Sequence, residues 1–141
     1  MTEVLFYTNT EDKFRTACTL TAKALEKGMR AMLYTPDAAT SERLSRMLWS
    51  LPATGFIPHC RAADPLATLT PVIVDHVCEP LAHDQVLFNL RSETPAFFSR
   101  FQRLVEIVGV DAPDRELART RFRFYRDRGY PIRTHSLGER S

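Results

Sequence analysis

The stretch VLFYTNT at residues 4–10 begins the pattern of strands and helices that decides the fold class. Its four apolar residues predict a short buried strand, which the polar TNT segment ends. From residue 13 to residue 27 apolar side chains recur at three- and four-residue steps, which predicts an amphipathic helix ending at Gly28. The apolar AMLY at residues 31–34 predicts a second buried strand. A strand, a helix and a strand in this order indicate parallel strands joined by a crossover helix.

The rest of the chain continues this alternation. Pro36 begins a helix predicted through Leu48, whereas two prolines and a glycine in residues 51–59 exclude one regular element there. Asp114 is expected to cap the last helix, Gly129 ends it, and a polar tail follows Ile132. The other predicted elements are strands at residues 71–74 and 86–90 and helices at residues 96–108 and 115–128. The chain is thus predicted to be an α/β fold with a mostly parallel sheet flanked by helices on both faces, in one domain over residues 1–141.

The composition predicts a globular protein of the cytoplasm. Of the 141 residues, 44% are hydrophobic and 26% charged, which is typical of a folded domain. No apolar run approaches the roughly 20 residues of a membrane helix, and the first segment, which contains Glu3, does not resemble a signal peptide. The three cysteines are odd in number and widely spaced, unlike a secreted disulfide framework. We therefore expect no contact with a membrane.

The motifs that usually mark an enzyme of this fold class are missing from the sequence. The five glycines, at positions 28, 55, 109, 129 and 138, are too far apart for a phosphate-binding loop. No Gly-x-Ser-x-Gly motif provides a nucleophile. We therefore predict no nucleotide-binding loop, no catalytic residue and no cofactor, and a small hydrolase or nucleotide-using enzyme is a minor alternative.

Two groups of residues have both a chemical and a structural interpretation. His59-Cys60 and His76-x-Cys78 are the close His/Cys pairs, but zinc sites normally combine two pairs at two- to four-residue spacing. We interpret them as loop histidines and small buried thiols, and predict no metal site. Asp75 beside His76 at a strand end can form an acid/base pair. Solvated loop side chains are the simpler interpretation of these two residues, because no nucleophile lies nearby.

The last predicted helix carries most of the positive charge. Between Arg115 and Arg133 seven arginines stand against Glu116 and Asp127, a local charge of +5 in a chain of net charge +2. At about 100° per residue, four of these arginines share one face of the helix. The four are Arg115, Arg119, Arg123 and Arg126.

The apolar residues of this helix divide between the core and the arginine face. On the helical wheel Leu117 and Phe124 are predicted to face the core. Phe122 borders the arginine face, and the small Ala118 beside it leaves room for a concavity. A cationic face beside an aromatic ring fits an acidic ligand with an apolar group, either nucleic acid or an acidic peptide ending in an aromatic residue and a free carboxylate. A solvated helix face is the plain alternative.

Four motifs together resemble the chi subunit family of DNA polymerase III along nearly the full chain. The motifs are Phe6-Tyr7, Leu48-Trp49-x-x-Pro52-x-x-x-Phe56-Ile57-Pro58-His59, Val86-Leu87-x-Asn89-Leu90, and Leu117-Ala118-Arg119-x-Arg121-Phe122-Arg123-x-Tyr125-Arg126 with Gly129-Tyr130. The resemblance implies a Rossmann-like fold and an accessory subunit without a catalytic site of its own, since polymerase activity belongs to the holoenzyme. It implies two partners: the psi subunit, which tethers chi to the clamp loader, and the acidic C-terminal tail of single-stranded DNA-binding protein. Contact with single-stranded DNA itself would be indirect.

The resemblance also implies which residues meet each partner. The family pattern more often has Tyr at the Phe122 position and Lys at the Arg115 and Arg123 positions, so charge is kept here and one hydroxyl is lost. The residues implied for the tail are Val108, Arg115, Arg119, Phe122 and Arg123, with Arg126 on the same helix face. Those implied for psi are Trp49, Pro52, Phe56 and Pro58. Direct binding of nucleic acid by the last helix is the alternative that the residues alone leave open.

Overall fold

The computed structural model of the protein describes residues 1–50, 57–79 and 81–137. These residues form seven strands and three α-helices, with 3-10 helices at Ala67–Leu69 and Phe98–Arg100. The strands are β1 (Glu3–Thr10), β2 (Ala31–Tyr34), β3 (His59–Cys60), β4 (Val72–Asp75), β5 (Val86–Asn89), β6 (Arg103–Gly109) and β7 (Ile132–Ser136). The helices are α1 (Lys13–Glu26), α2 (Ala38–Ser50) and α3 (Ala112–Asp127).

The strands form one parallel sheet in the order β3-β4-β2-β5-β6-β1-β7. The predicted α/β fold with a parallel sheet is therefore confirmed. Every residue of β4 and β5 is buried, as expected for strands covered on both faces. β1 pairs with β6 on one side and β7 on the other, so the carboxyl ends of these three strands meet at one end of the sheet.

Helices cover both faces of the sheet, as the sequence predicts. α1 and α2 pack on one face, where Cys18 and Leu48 join the core around Leu33. α3 packs on the other face, where Ala118 and Tyr125 join the core. Among the residues that the structure describes, no helix is both long enough and apolar enough to cross a membrane.

The helix predicted at residues 96–108 is wrong. The structure has a single 3-10 turn at Phe98–Arg100, and then β6. All residues of β6 after Arg103 are buried, because the strand is covered on both faces and contributes to both cores. The sequence of such a strand lacks strict alternation, and here its apolar residues continue the three- and four-residue steps of the preceding phenylalanines, which is the pattern of a helix.

The C-terminal part of the chain also differs from the prediction. The expected polar tail contains β7, whose residues are exposed apart from the half-buried Ile132, so its sequence lacks a strand signal. α3 begins at Ala112, and its N-cap is Asp111, whose side chain accepts from the N–H of Asp114 at 3.2 Å. The predicted cap, Asp114, thus lies inside the first turn, where Pro113 is tolerated because that turn has unpaired N–H groups.

Candidate functional site

One side of α3 is exposed and the other is buried against the sheet. The four arginines of its outer side, Arg115, Arg119, Arg123 and Arg126, are exposed, as predicted. The inner side consists of Ala118, Arg121 and Tyr125, all buried. The prediction that Leu117 faces the core is wrong, since 45% of it is exposed. Phe124 is only half-buried, with the Arg128 guanidinium 3.6 Å above its ring.

A buried carboxylate explains this rotation of α3. Glu106 of β6 is fully buried and points toward the helix, where Arg121 Nε donates to Glu106 Oε1 at 2.9 Å. The hydroxyl of Tyr125 donates to Glu106 Oε2 at 2.5 Å, and Asn89 Nδ2 donates to both oxygens. Arg121 also donates to the carbonyl of Ser92 at 2.8 Å. Arg121 therefore belongs to the core, unlike the four exposed arginines, and fixes which side of α3 faces out.

The protonation of this cluster follows from its burial. Burial raises the pKa of the Glu106 carboxyl, while the charge of Arg121 and the hydrogen bonds of Tyr125, Asn89 and Arg121 oppose that rise. Burial also raises the pKa of Tyr125, and the neighbouring Glu106 carboxylate raises it further. Tyr125 therefore keeps its proton and serves as a donor.

A cavity of about 310 Å³ lies between α3 and the carboxyl ends of β1, β6 and β7. Its apolar lining consists of Phe6, Val108, Ala118 and Phe122, and the rings of Phe6 and Phe122 are 5.4 Å apart. Its polar lining consists of Thr8, Asn9, Gly109, Arg115, Arg119 and Thr134. An apolar recess bordered by guanidinium groups can hold an aromatic side chain next to a carboxylate.

The two cavity arginines are available to a ligand to different degrees. Within the described residues, no acidic side chain forms an ion pair with Arg115. Arg119 pairs with Glu116 one turn earlier on the same helix, and both side chains are more than 60% exposed. An exposed pair of this kind contributes little, so a ligand carboxylate can replace Glu116 at modest cost.

The loop between β6 and α3 holds the start of the helix in place. Asp114 Oδ2 accepts from the N–H of Gly109 at 2.6 Å, and Lys13 Nζ of α1 lies 3.0 Å from Asp114 Oδ1. Partial burial favours the neutral acid, but these hydrogen bonds outweigh it and lower the pKa of Asp114. A Cβ on Gly109 would lie 3.0 Å from Asp111 Oδ1, so glycine suits this tight loop. Arg115 follows Asp114 directly and is thus placed at the rim of the cavity.

A second exposed feature lies on the far side of the sheet. Trp49, near the end of α2, is 63% exposed, and its ring meets that of His59 edge to face with centroids 6.2 Å apart. His59 begins β3, and four strands separate β3 from β1, a width of roughly 25 Å at the usual strand spacing. Pro58 is exposed beside His59, whereas Pro52 and Phe56 lie outside the described residues. Trp49, Pro58 and His59 together form what we call the Trp49 surface, and this surface and the cavity are therefore well separated.

Residues 1–133 match the family model described as DNA polymerase III chi subunit, HolC. The chain belongs to this family. The protein is thus an accessory subunit of the DNA replication machinery, and the predicted resemblance is confirmed.

Three relatives named DNA polymerase III subunit chi support the same assignment. That of Pseudomonas aeruginosa is 36% identical over 141 residues, which cover 97% of this chain and 98% of the relative. The relative of Escherichia coli is 28% identical over 83% of this chain and 80% of its own length. The relative of Haemophilus influenzae is 25% identical over 86% of this chain and 85% of its own length.

The structure divides the tail-site residues implied by the chi resemblance into two groups. Val108, Arg115, Arg119 and Phe122 line the cavity together. Arg123 and Arg126 are exposed on α3 but do not line it. Six further lining residues were not predicted as site residues: Phe6, Thr8, Asn9, Gly109, Thr134 and Ala118, although the small Ala118 was expected to leave room for a concavity. Parallel pairing at the end of β1 could have suggested Phe6, Thr8 and Asn9, whereas Thr134 lies on β7, an exposed strand without an apolar pattern.

The other chemical candidates have structural roles in this chi chain. Asp75 is buried and accepts from the N–H of Ala62 at 2.8 Å and from Arg61 at 3.2 Å, so it is not the solvated loop residue that we expected. His76 Nδ1 lies 3.2 Å from Asp75 Oδ1 without making a hydrogen bond. His59 bonds to the Ser45 hydroxyl and the carbonyl of Ile57, both at 2.7 Å. Among the described residues, no cluster of three His, Cys, Asp or Glu side chains could hold a metal ion.

Proposed function

We propose that this protein bridges the psi subunit and the acidic C-terminal tail of single-stranded DNA-binding protein within the polymerase III holoenzyme. The observation that carries the proposal is the cavity beside α3, which is lined both by apolar side chains and by Arg115 and Arg119. The Trp49 surface supports a second, independent partner, because it lies at the opposite side of the sheet.

The cavity suits the end of a polypeptide better than a large cofactor. At about 310 Å³ it is at the small end of ligand pockets, and it can receive one aromatic ring between Val108, Ala118 and Phe122. Arg115 and Arg119 at its rim would pair with the terminal carboxylate and with acidic side chains before it. Because Phe122 has no hydroxyl, the ring contributes apolar contact, and the guanidinium groups provide the polar recognition.

The psi half of the proposal rests on the exposure of Trp49. Tryptophan is among the residues that most often dominate a protein interface, and here 63% of it faces outward beside the exposed Pro58. The family resemblance implies that Pro52 and Phe56, which lie outside the described residues, also contact psi. We expect Trp49→Ala to weaken binding to psi by about 2 kcal/mol or more while leaving peptide binding at the cavity unchanged. A loss of both would contradict two separate sites.

A calorimetric titration tests the tail site. The probe is a short acidic peptide ending in Phe with a free carboxylate, added at low salt to the wild type, to Arg119→Ala and to the control Arg46→Ala, an exposed arginine of α2. We expect Arg119→Ala to lose about 1–3 kcal/mol of binding free energy and the control to lose none. No binding by the wild type, or equal binding by Arg119→Ala, would rule out the cavity as the tail site.

Direct binding of nucleic acid is the second candidate, because Arg123 and Arg126 extend the positive face of α3 beyond the cavity. It predicts binding of a bare oligonucleotide that falls steeply as salt is added. On the bridging proposal, the oligonucleotide binds far more weakly than the acidic peptide. Filter binding with labelled single-stranded DNA over a salt series separates the two candidates.

A further inference from the structure

β7 is an edge strand with one side of its backbone unused. The N–H of Val4 donates to the carbonyl of Pro131, and the N–H of Leu137 donates to the carbonyl of Thr8, both at 2.9 Å. In a parallel ladder alternate residues face the same neighbour, so the backbone groups of residues 133 and 135 face β1 as well. Those of Ile132, Thr134 and Ser136 face away from the sheet. Among the described residues, no strand pairs with that side of β7.

Thr134 connects this open edge to the cavity. Its side chain lines the cavity, while its N–H and C=O point out along the edge. At about 3.3 Å per residue, the five residues of β7 offer roughly 16 Å of edge, enough for four or five residues of extended chain. A polypeptide that ends in the cavity therefore passes next to unpaired main-chain groups.

We propose that an acidic peptide whose terminal aromatic residue occupies the cavity continues as an added strand along β7. Its main chain exchanges hydrogen bonds with Ile132, Thr134 and Ser136. The inference rests on the proposed function, since it uses the same cavity. In strand addition the main-chain bonds supply affinity that depends little on side-chain identity. The edge of β7 would thus bind the main chain of the acidic segment, while the cavity binds its terminal aromatic residue and carboxylate.

Charge favours an acidic segment over a second copy of this chain. The segment from Arg115 to Arg133 carries a local charge of +5, and Arg133 of β7 has 72% of its side chain exposed. Two copies paired edge to edge would bring these positive segments together. The repulsion of like charges at an edge strand commonly prevents such pairing. Arg133 pairs with the half-buried Glu3 at 3.2 Å, but most of the Arg133 side chain is exposed and remains accessible to a peptide carboxylate. Alternating N–H and C=O groups match a polypeptide backbone, whereas the sugar–phosphate backbone of DNA offers acceptors but no donors.

Two synthetic peptides with the same C-terminus test the added strand. One is Asp-Asp-Phe and the other is Thr-Asp-Thr-Asp-Thr-Asp-Asp-Phe, both with a free carboxylate, titrated into the full chain. Two or three additional main-chain bonds should tighten binding by on the order of tenfold. Because the extension also adds charge, two further octapeptides serve as controls. One carries N-methyl groups on every second amide of the extension, and the other carries them on the remaining amides. Methylation of one set of amides should abolish the gain in affinity, and methylation of the other set should leave it unchanged, because only alternate amides face the edge of β7. Equal effects of the two sets, or no gain from the extension, would overturn the proposal.

A pair of variants tests the same edge from the side of the protein. Ser136→Pro removes the outward N–H, whereas Ser136→Ala keeps it, and both lose the hydrogen bond from Asn9 at 2.7 Å. We expect the octapeptide to bind Ser136→Pro several-fold more weakly than Ser136→Ala, with equal tripeptide affinity in both. Equal octapeptide affinity would contradict an added strand. If the tripeptide fails to bind the wild type, the proposed cavity function fails. If it binds but the extension adds nothing, only the inference about β7 fails.

Discussion

Two arginines of α3, only two residues apart, are in opposite surroundings. Arg121 points inward, is 3% exposed and pairs with the fully buried Glu106. Arg119 points outward, and its partner is the exposed Glu116 of the same helix. In the sequence both belong to one run of positive charge. The partner on β6 makes the difference, because a carboxylate inside the core requires one arginine of the helix and leaves the others outside.

The inner pair positions the outer ones. Glu106 accepts hydrogen bonds from two residues of α3, Arg121 and Tyr125, which lie one turn apart. These bonds fix the rotation of the helix about its axis, and with it the direction of Arg115, Arg119 and Phe122 toward the cavity. The buried arginine therefore supports the candidate site without touching a ligand.

The largest expected effect comes from breaking the inner pair. Arg121→Met keeps much of the side-chain volume but leaves the Glu106 carboxylate buried without its charged partner. We expect it to lower the free energy of unfolding by about 3–5 kcal/mol, measured by urea denaturation. The matched control Arg119→Met removes an exposed pair and should cost less than about 0.5 kcal/mol. Similar costs for the two variants would contradict the structural distinction between the two arginines.

The same contrast shows how far the sequence could predict the site. The helical wheel correctly placed Arg115 and Arg119 on the outer side, because exposure follows helix geometry once the helix is known. It could not identify Arg121 as buried, since that depends on Glu106, which lies in a segment predicted to be a helix. The parallel sheet was predictable from short apolar runs alternating with amphipathic helices. β7 was not, because an exposed edge strand has no apolar pattern, and with it Thr134 was missed.

A smaller effect is expected at the loop that starts α3. Asp114→Asn loses the charge that binds Lys13 and the N–H of Gly109, and should lower the free energy of unfolding by about 1–2 kcal/mol at pH 7. Because the pKa of Asp114 is lowered in the folded state, its stabilisation is complete above the ordinary value near 4 and is lost as the pH falls through the folded-state pKa. Urea unfolding at pH 7 and pH 3 should therefore show the gap between wild type and Asp114→Asn closing at low pH. Asp127→Asn, at an exposed pair with Arg126, is the control and should show no such gap. A gap that stays constant with pH would contradict the role of the carboxylate.

The smallest effect is expected outside the cavity. Arg126 shares the outer side of α3 with Arg119 but does not line the cavity, so Arg126→Ala should weaken peptide binding by less than about 0.5 kcal/mol, and only at low salt. Titrations at two salt concentrations distinguish this long-range effect from a direct contact. A loss as large as that of Arg119→Ala, persisting at the higher salt, would extend the site along the whole arginine face.

The central claim is that guanidinium groups at the rim of an apolar cavity bind the end of an acidic peptide. The most direct test compares one peptide ending in Phe as the free acid and as the carboxamide, each titrated into wild type and into the double variant Arg115→Ala/Arg119→Ala. In the wild type the free acid should bind about tenfold to a hundredfold more tightly, as expected for charge-assisted hydrogen bonds. In the double variant the two peptides should bind with nearly equal affinity. If the free acid keeps its full advantage there, the cavity arginines do not bind the carboxylate and the account is wrong.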